Sequence, residues 1–91
     1  MAFRDDVLRV VCGIRRGETM TYREVALAAL GFPAATAVGA IMRANRNDEI
    51  PCHRVVSAGG LGGYNRGVAE KRRRLSSEGA RMRLIETGRE T

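Results

Sequence analysis

Two short apolar segments split by Gly31-Phe32-Pro33 constrain the fold of this chain more than any other feature. Thr21-x-x-Glu24 opens the first of them in the form of a capping box, with Met20 and Val25 placed as a hydrophobic staple. The Val-, Ala- and Leu-rich helix it starts, roughly 22–30, ends at Gly31, the residue type that most readily closes a helix. Pro33 stands where a first helical residue belongs, so a second helix is expected from Ala34 to about Arg43, closing near Asn45. Two short helices joined by so tight a turn suggest a helix-turn-helix. The second helix is unusually small on its surface, through Ala34, Ala35, Ala37, Gly39 and Ala40. Such a surface accepts another backbone closely, either a neighbouring helix or a nucleic-acid strand. Composition alone favours helix packing.

The flanking segments complete one small domain. Phe3, Val7, Val10, Val11 and Ile14 recur at helical spacing, predicting an amphipathic helix near 3–12 that Gly13 stops. Arg15-Arg16-Gly17-Glu18 is a turn, and Asn45 to Glu49 is a polar connector. Gly59, Gly60, Gly62, Gly63 and Gly67 surround Tyr64 in a loop that fits a lid or a hairpin wing and lacks the strand-Gly-helix setting of a dinucleotide site. A last helix, about 67–78, carries Lys71-Arg72-Arg73-Arg74 and stops at Gly79. Those four residues form either a phosphate track or a solvated helix face. The expected architecture is mainly α, a winged helix-turn-helix with a short hairpin or wing over residues 1–79, followed by a tail, 80–91.

Charge narrows the partners. Lys and Arg number 16 against 10 Asp and Glu, a net charge of +6 on 91 residues. That points to a polyanion, nucleic acid first, with solubility alone as the bland alternative. Cys12 and Cys52 are too few for a disulfide scaffold, nothing in the sequence resembles a signal peptide, and no apolar run reaches membrane length. A cytoplasmic protein with reduced thiols is expected, nucleoid-associated if prokaryotic, with no membrane partner. One His and two separated Cys do not supply a zinc site, so no metal is expected.

The chemistry centres on Pro51-Cys52-His53-Arg54-Val55, which sets a thiol beside the sole histidine. A free thiol, with a pKa near ~8.5, is mostly protonated at neutral pH and needs a base or cation in reach to attack as thiolate. Histidine is the usual base. Adjacency does not prove contact, because neighbours on an extended segment face opposite ways. The flanking Ile50-Pro51 and Val55-Val56 imply a rigid, half-buried segment.

Taken with Thr21-Tyr22-x-Glu24-Val25-Ala26, Ala37-Val38-Gly39, Asn45, Gly63-Tyr64 and Lys71…Glu78-Gly79, in this order and near this spacing, the pentapeptide resembles one family. It is the C-terminal DNA-binding domain of the O6-alkylguanine-DNA alkyltransferases, over about residues 3–79. The resemblance implies a suicide repair protein that enters the minor groove of double-stranded DNA and flips an O6-alkylguanine from the stack. Cys52 then takes the alkyl group irreversibly, without a cofactor and as a monomer. Flipping is a physical need, since the O6 substituent lies within the stacked duplex. By the same resemblance His53 is the base acting through a water and Glu78 the carboxylate that orients it. Asn45 is the hinge of the recognition helix. Tyr64 directs its hydroxyl at guanine N3. Tyr22 presses on the neighbouring phosphate, Met42 packs on the flipped base, and the Val55 carbonyl reads the exocyclic amine. The Asn65 N–H approaches O6, while Thr36, Ala37, Gly39 and Arg54 complete the expected DNA-facing set.

The chain departs from the family pattern at Thr36, which stands where an arginine finger usually enters the stack; Arg43 or Arg46 are the candidates to compensate. Arg15 stands where a proline is frequent. The connector before Pro51 is about one residue short, and nothing in these 91 residues resembles the family's N-terminal domain. A non-catalytic, alkyltransferase-like lesion binder is the runner-up reading, opposed by Cys52, which those proteins typically replace. A winged-helix module with an incidental cysteine is the third.

Overall fold

The computed structural model describes residues 2–64 and 66–80 of the chain, with side chains from residue 4 onward. The expected tail beyond Ala80, Asn65 and the Phe3 side chain lie outside the described residues. Helix α1 (Ala2–Cys12) is followed by β1 (Met20–Thr21), α2 (Tyr22–Leu30), α3 (Ala35–Ala44), a 3₁₀ turn (Cys52–Arg54), β2 (Val55–Val56) and α4 (Val68–Ser77). No helix among the described residues is long and apolar enough to cross a membrane.

The capping box forms as its residues dictate. The Glu24 N–H donates to Thr21 Oγ1 at 3.0 Å, and the Thr21 N–H donates to Glu24 Oε1 at 2.8 Å. Gly31 closes α2 in the left-handed region, at φ 82°, its N–H donating to the Leu27 carbonyl. The axes of α2 and α3 then turn by 100°, within the range of a helix-turn-helix. Pro33 is not the first residue of α3, contrary to expectation. The Ala34 N–H bonds back to the Phe32 carbonyl at 2.9 Å, which makes Pro33 the corner of a three-residue turn and delays the helix to Ala35.

Val7, Val11 and Ile14 meet Val25, Ala26, Val38, Ile41, Met42, Cys52 and Val55 in the main core, and Met20 packs against the same cluster. Fully burying each of the Val, Ile and Met side chains stabilises by about 1.5–3 kcal/mol. Val56, Leu61, Leu75 and Ala80 form a second cluster under α4. β1 and β2 pair in parallel, Met20 with Val55 and Thr21 with Val56, with both helices of the helix-turn-helix between them in sequence. The wing is short, an antiparallel bridge from Ser57 to Gly60. At the other end of α4 the Ala80 N–H reaches the Leu75 carbonyl and the Gly79 N–H reaches that of Ser76, a Schellman closure that fixes Glu78.

Candidate active site

Pro51 turns the chain sharply at the pentapeptide. Its φ of −78° and ψ of 64°, with a 2.7 Å bond from the Cys52 N–H to the Ile50 carbonyl, make an inverse γ-turn. The next three residues continue as a 3₁₀ turn rather than as an extended segment. Cys52 therefore faces a cavity while His53 faces α4. Both side chains are buried, the cysteine 5% and the histidine 7% exposed.

Asn45 holds the thiol, and Glu78 holds the two residues that follow it. Asn45 Nδ2 donates to Cys52 Sγ at 2.9 Å and to the Asn47 carbonyl at 3.1 Å. The Asn47 N–H in turn donates to Asn45 Oδ1 at 3.2 Å, which fixes the amide's orientation. His53 Nε2 lies 2.8 Å from Glu78 Oε2. Arg54 grips both oxygens of Glu78, Nε to Oε1 and Nη2 to Oε2, each at 2.9 Å, and Nη1 donates to the Ile14 carbonyl at 2.8 Å.

These contacts set the protonation states. The Arg54 guanidinium holds the Glu78 carboxyl down to about 2, so it is ionised at neutral pH. Burial lowers His53 below its ordinary range, against the raising effect of Glu78, so the ring is neutral. A neutral ring beside an ionised carboxylate carries its proton on Nε2 and leaves Nδ1 unprotonated, able to accept. Burial pushes the Cys52 thiol up, while the Asn45 amide and the charges of Arg66 and Lys71 pull it back. The arrangement stores a protonated thiol and, on the next residue of the chain, an unprotonated base.

The cavity above the thiol has a volume of about 710 Å³ and is lined by α3, the glycine loop and Tyr22. Among the expected residues, Tyr22, Thr36, Gly39, Met42, Cys52 and Tyr64 all border it, as do Ala35 and Arg43. Ala35 and Gly39 thus face an open cavity, so the small-residue surface is not used for helix packing alone. Gly62, at φ 72°, allows the Tyr22 ring to lie against the loop, since an added Cβ would come 3.0 Å from Tyr22 Cε2. Tyr64 Oη accepts from Arg66 Nη1 at 3.2 Å. The guanidiniums of Arg66 and Arg74 lie 5.9 and 5.8 Å from its ring centre.

Residues 2–80 match the model of the 6-O-methylguanine DNA methyltransferase family, DNA-binding domain. The chain belongs to this family. A methylated-DNA–protein-cysteine methyltransferase of Methanothermobacter thermautotrophicus is 49% identical over 77 residues, covering 84% of this chain and 43% of that protein. The chain thus spans under half the length of that curated relative. Among solved structures, Mycobacterium tuberculosis OGT in complex with DNA superimposes with a TM-score of 0.81 at 37% identity, covering 87% of this chain and 50% of that one. Schizosaccharomyces pombe Atl1, in complex with damaged DNA containing O6-carboxymethylguanine, gives a TM-score of 0.73 at 32% identity, over 85% of this chain and 75% of that one.

Within this methyltransferase-family domain some expected residues sit elsewhere than the cavity. Arg54, expected to face DNA, spends its guanidinium on Glu78 and Ile14, as positioning for the histidine's carboxylate. Ala37 is half-buried on α3 and does not line the cavity. The Val55 carbonyl already accepts Lys71 Nζ at 2.7 Å. Lys71 also donates to the Gly63 carbonyl at 2.9 Å and is 0% exposed. It is therefore part of neither a phosphate track nor a solvated face, while Arg73 and Arg74 pair with Glu70 of their own helix. Its i,i+4 spacing from the buried Leu75 was the available signal.

Acid stability follows from the same cluster. Glu78 titrates near 2 in the fold against an ordinary 4.5, so its contribution is complete above 4.5 and is lost as pH falls from 4.5 to 2, worth about 3 kcal/mol at most. His53, depressed by burial, weakens the fold as pH drops below about 6.5, where the unfolded chain takes up its proton first. Melting temperature against pH should fall in both windows, and Glu78→Gln should flatten the lower one. Parallel curves for the two proteins below pH 4.5 would refute this assignment.

Proposed function

We propose that the chain removes alkyl groups from O6 of guanine in duplex DNA, in one irreversible transfer to Cys52. The observation that carries this reading is the buried thiol on the cavity wall, held by Asn45, with the His53–Glu78 pair beginning at the next residue of the chain. His53 accepts the thiol proton, through a bridging water. The sulfur then attacks the alkyl carbon, an S–C bond forms, the C–O6 bond breaks, and the electron pair leaves with the purine. A hydrogen bond from Tyr64 to N3 offsets the charge developing there. Met42 and the α3 surface at Gly39 receive the flipped base, and Tyr22 presses on the adjoining phosphate. The reading requires no cofactor and one copy of the chain, with α3 in the minor groove.

Intact-mass and peptide mass spectrometry after incubation with an O6-methylguanine duplex tests it. One methyl group should appear on the peptide containing Cys52, and none in Cys52→Ser. Tight, lesion-selective binding with an unmodified Cys52 would instead favour a damage sensor, the reading that the likeness to Atl1 keeps in play.

Thr36 is exposed on the first turn of α3 and borders the cavity. It is too short to occupy the gap left by a flipped base. Thr36→Arg is expected to tighten binding to the damaged duplex by about 1–2 kcal/mol, roughly 5- to 30-fold, mostly through slower dissociation. Equal affinities of the two proteins in a fluorescence titration would rule out a vacant finger position as the weak point.

A further inference from the structure

Three contacts join the turn after α1 to the far end of α4. The Ile14 carbonyl accepts from Arg54 Nη1 at 2.8 Å, and the same guanidinium grips both oxygens of Glu78. Arg16 Nη2 donates to the Ser77 carbonyl at 3.2 Å, across 61 residues of sequence. Gly17 lies against the Glu78 main chain, where an added Cβ would come 3.1 Å from the Glu78 carbonyl oxygen. A 2.9 Å bond from the Glu18 N–H to the Arg15 carbonyl closes this turn, with Gly17 third in it at φ 91°, a conformation that favours glycine.

The side chain and the main chain of Glu78 are thus held separately. Arg54 fixes the carboxylate, while the turn meets the backbone that carries it. Ser77 ends α4, and its carbonyl is among those a helix leaves without an internal partner. A cation at that place satisfies the carbonyl and suits the negative end of the helix dipole.

We propose that the Arg15–Glu18 turn seats Glu78 against His53, with Arg16 and Gly17 as positioning residues for alkyl transfer. The inference deepens the proposed function and rests on it for the part these residues play in transfer. His53 Nε2 stands 2.8 Å from Glu78 Oε2, and that bond keeps the ring proton on Nε2. A methyl group at position 17 pushes on the Glu78 carbonyl and loosens the carboxylate's hold on the ring. A ring less firmly held populates its other tautomer, in which Nδ1 carries the proton and no longer accepts one from the thiol.

The sole histidine makes the test specific, since imidazole nitrogen NMR then reports His53 alone. Spectra are recorded at about pH 8, above the ordinary histidine range, for the wild-type chain, Gly17→Ala, Arg16→Glu and Gly31→Ala. Single-turnover methyl transfer is measured on the first three. Gly31 has φ 82° and nothing within 4 Å of an added Cβ, so Gly31→Ala brings similar backbone strain without touching Glu78. Wild type and Gly31→Ala should show the Nε2–H tautomer, whereas Gly17→Ala and Arg16→Glu should show a larger Nδ1–H share. Transfer should slow in both roughly three- to tenfold, about the worth of one hydrogen bond. If Gly17→Ala does not fold, Arg16→Glu decides alone, its side chain being exposed. A wild-type tautomer in either variant that folds overturns the inference and leaves the transferase reading standing. An equal change in Gly31→Ala also overturns it, because strain rather than the seat would then be the cause. Absence of methyl transfer in the wild type defeats the transferase reading instead, and the tautomer comparison still judges the seat.

Discussion

Replacing His53 by alanine is expected to slow alkyl transfer by roughly 10²–10⁴-fold, the usual worth of a positioned general base. The size follows from the thiol's surroundings. Burial raises Cys52 above its reference value of 9.0, so little thiolate exists at neutral pH without an acceptor for its proton. The two proteins should also differ in pH dependence. In the wild type the rate should hold through neutrality and fall on acidification below about 6.5, as the depressed His53 finally takes up a proton. In His53→Ala the residual rate should climb with pH past 9, following direct ionisation of the thiol. Rates measured on an O6-methylguanine duplex from pH 5 to pH 10 distinguish the two. Matching profiles would remove His53 from the chemistry and leave it a structural partner of Glu78.

The helix-turn-helix was legible because its determinants are local. A capping box, a terminal glycine and apolar spacing each act within a few residues, and α2 begins and ends as they require. Pro33 was misplaced for an equally local reason: an N–H to carbonyl bond around it competes with the first helical turn. The pair Cys52 and His53 was readable as a chemical unit, although not in its geometry. The γ-turn at Pro51 sends the two side chains to different neighbours, and adjacency in sequence carries no such information.

What sequence reasoning missed is long-range. Arg54 was placed among the DNA-facing residues by the family resemblance alone. Its partners, Ile14 and Glu78, come from opposite ends of the chain, and only the packed fold brings them together. The run Lys71 to Arg74 looked uniform, yet helical geometry divides it: one residue turns inward and two pair with Glu70. Charge counted along a segment cannot separate these fates, because they depend on which face of α4 meets β2 and the glycine loop.

Lys71 is where that inward turn has the largest consequence. Its ammonium joins the Val55 carbonyl on β2 to the Gly63 carbonyl of the glycine loop, with the Tyr22 ring centre 5.8 Å away. Lys71→Met keeps much of the volume but leaves both carbonyls without this donor. A loss of about 2–4 kcal/mol is expected, a fall in melting temperature of roughly 10–20 °C. Alkyl transfer should slow as well, since Lys71 is one of the charges that ease ionisation of Cys52. The pH dependence separates this role from simple packing. Burial lowers Lys71 to about 8 from an ordinary 10.5, and the neutral amine still has two N–H groups for the two carbonyls. Between 8 and 10.5 the unfolded chain therefore binds the proton more readily than the folded one, and the contribution of Lys71 to stability rises with pH, by as much as about 3 kcal/mol. The gap in melting temperature between wild type and Lys71→Met should widen from pH 8 to pH 10. A constant gap would mean that Lys71 stays charged in the fold, and that the two carbonyls hold it as an ammonium ion.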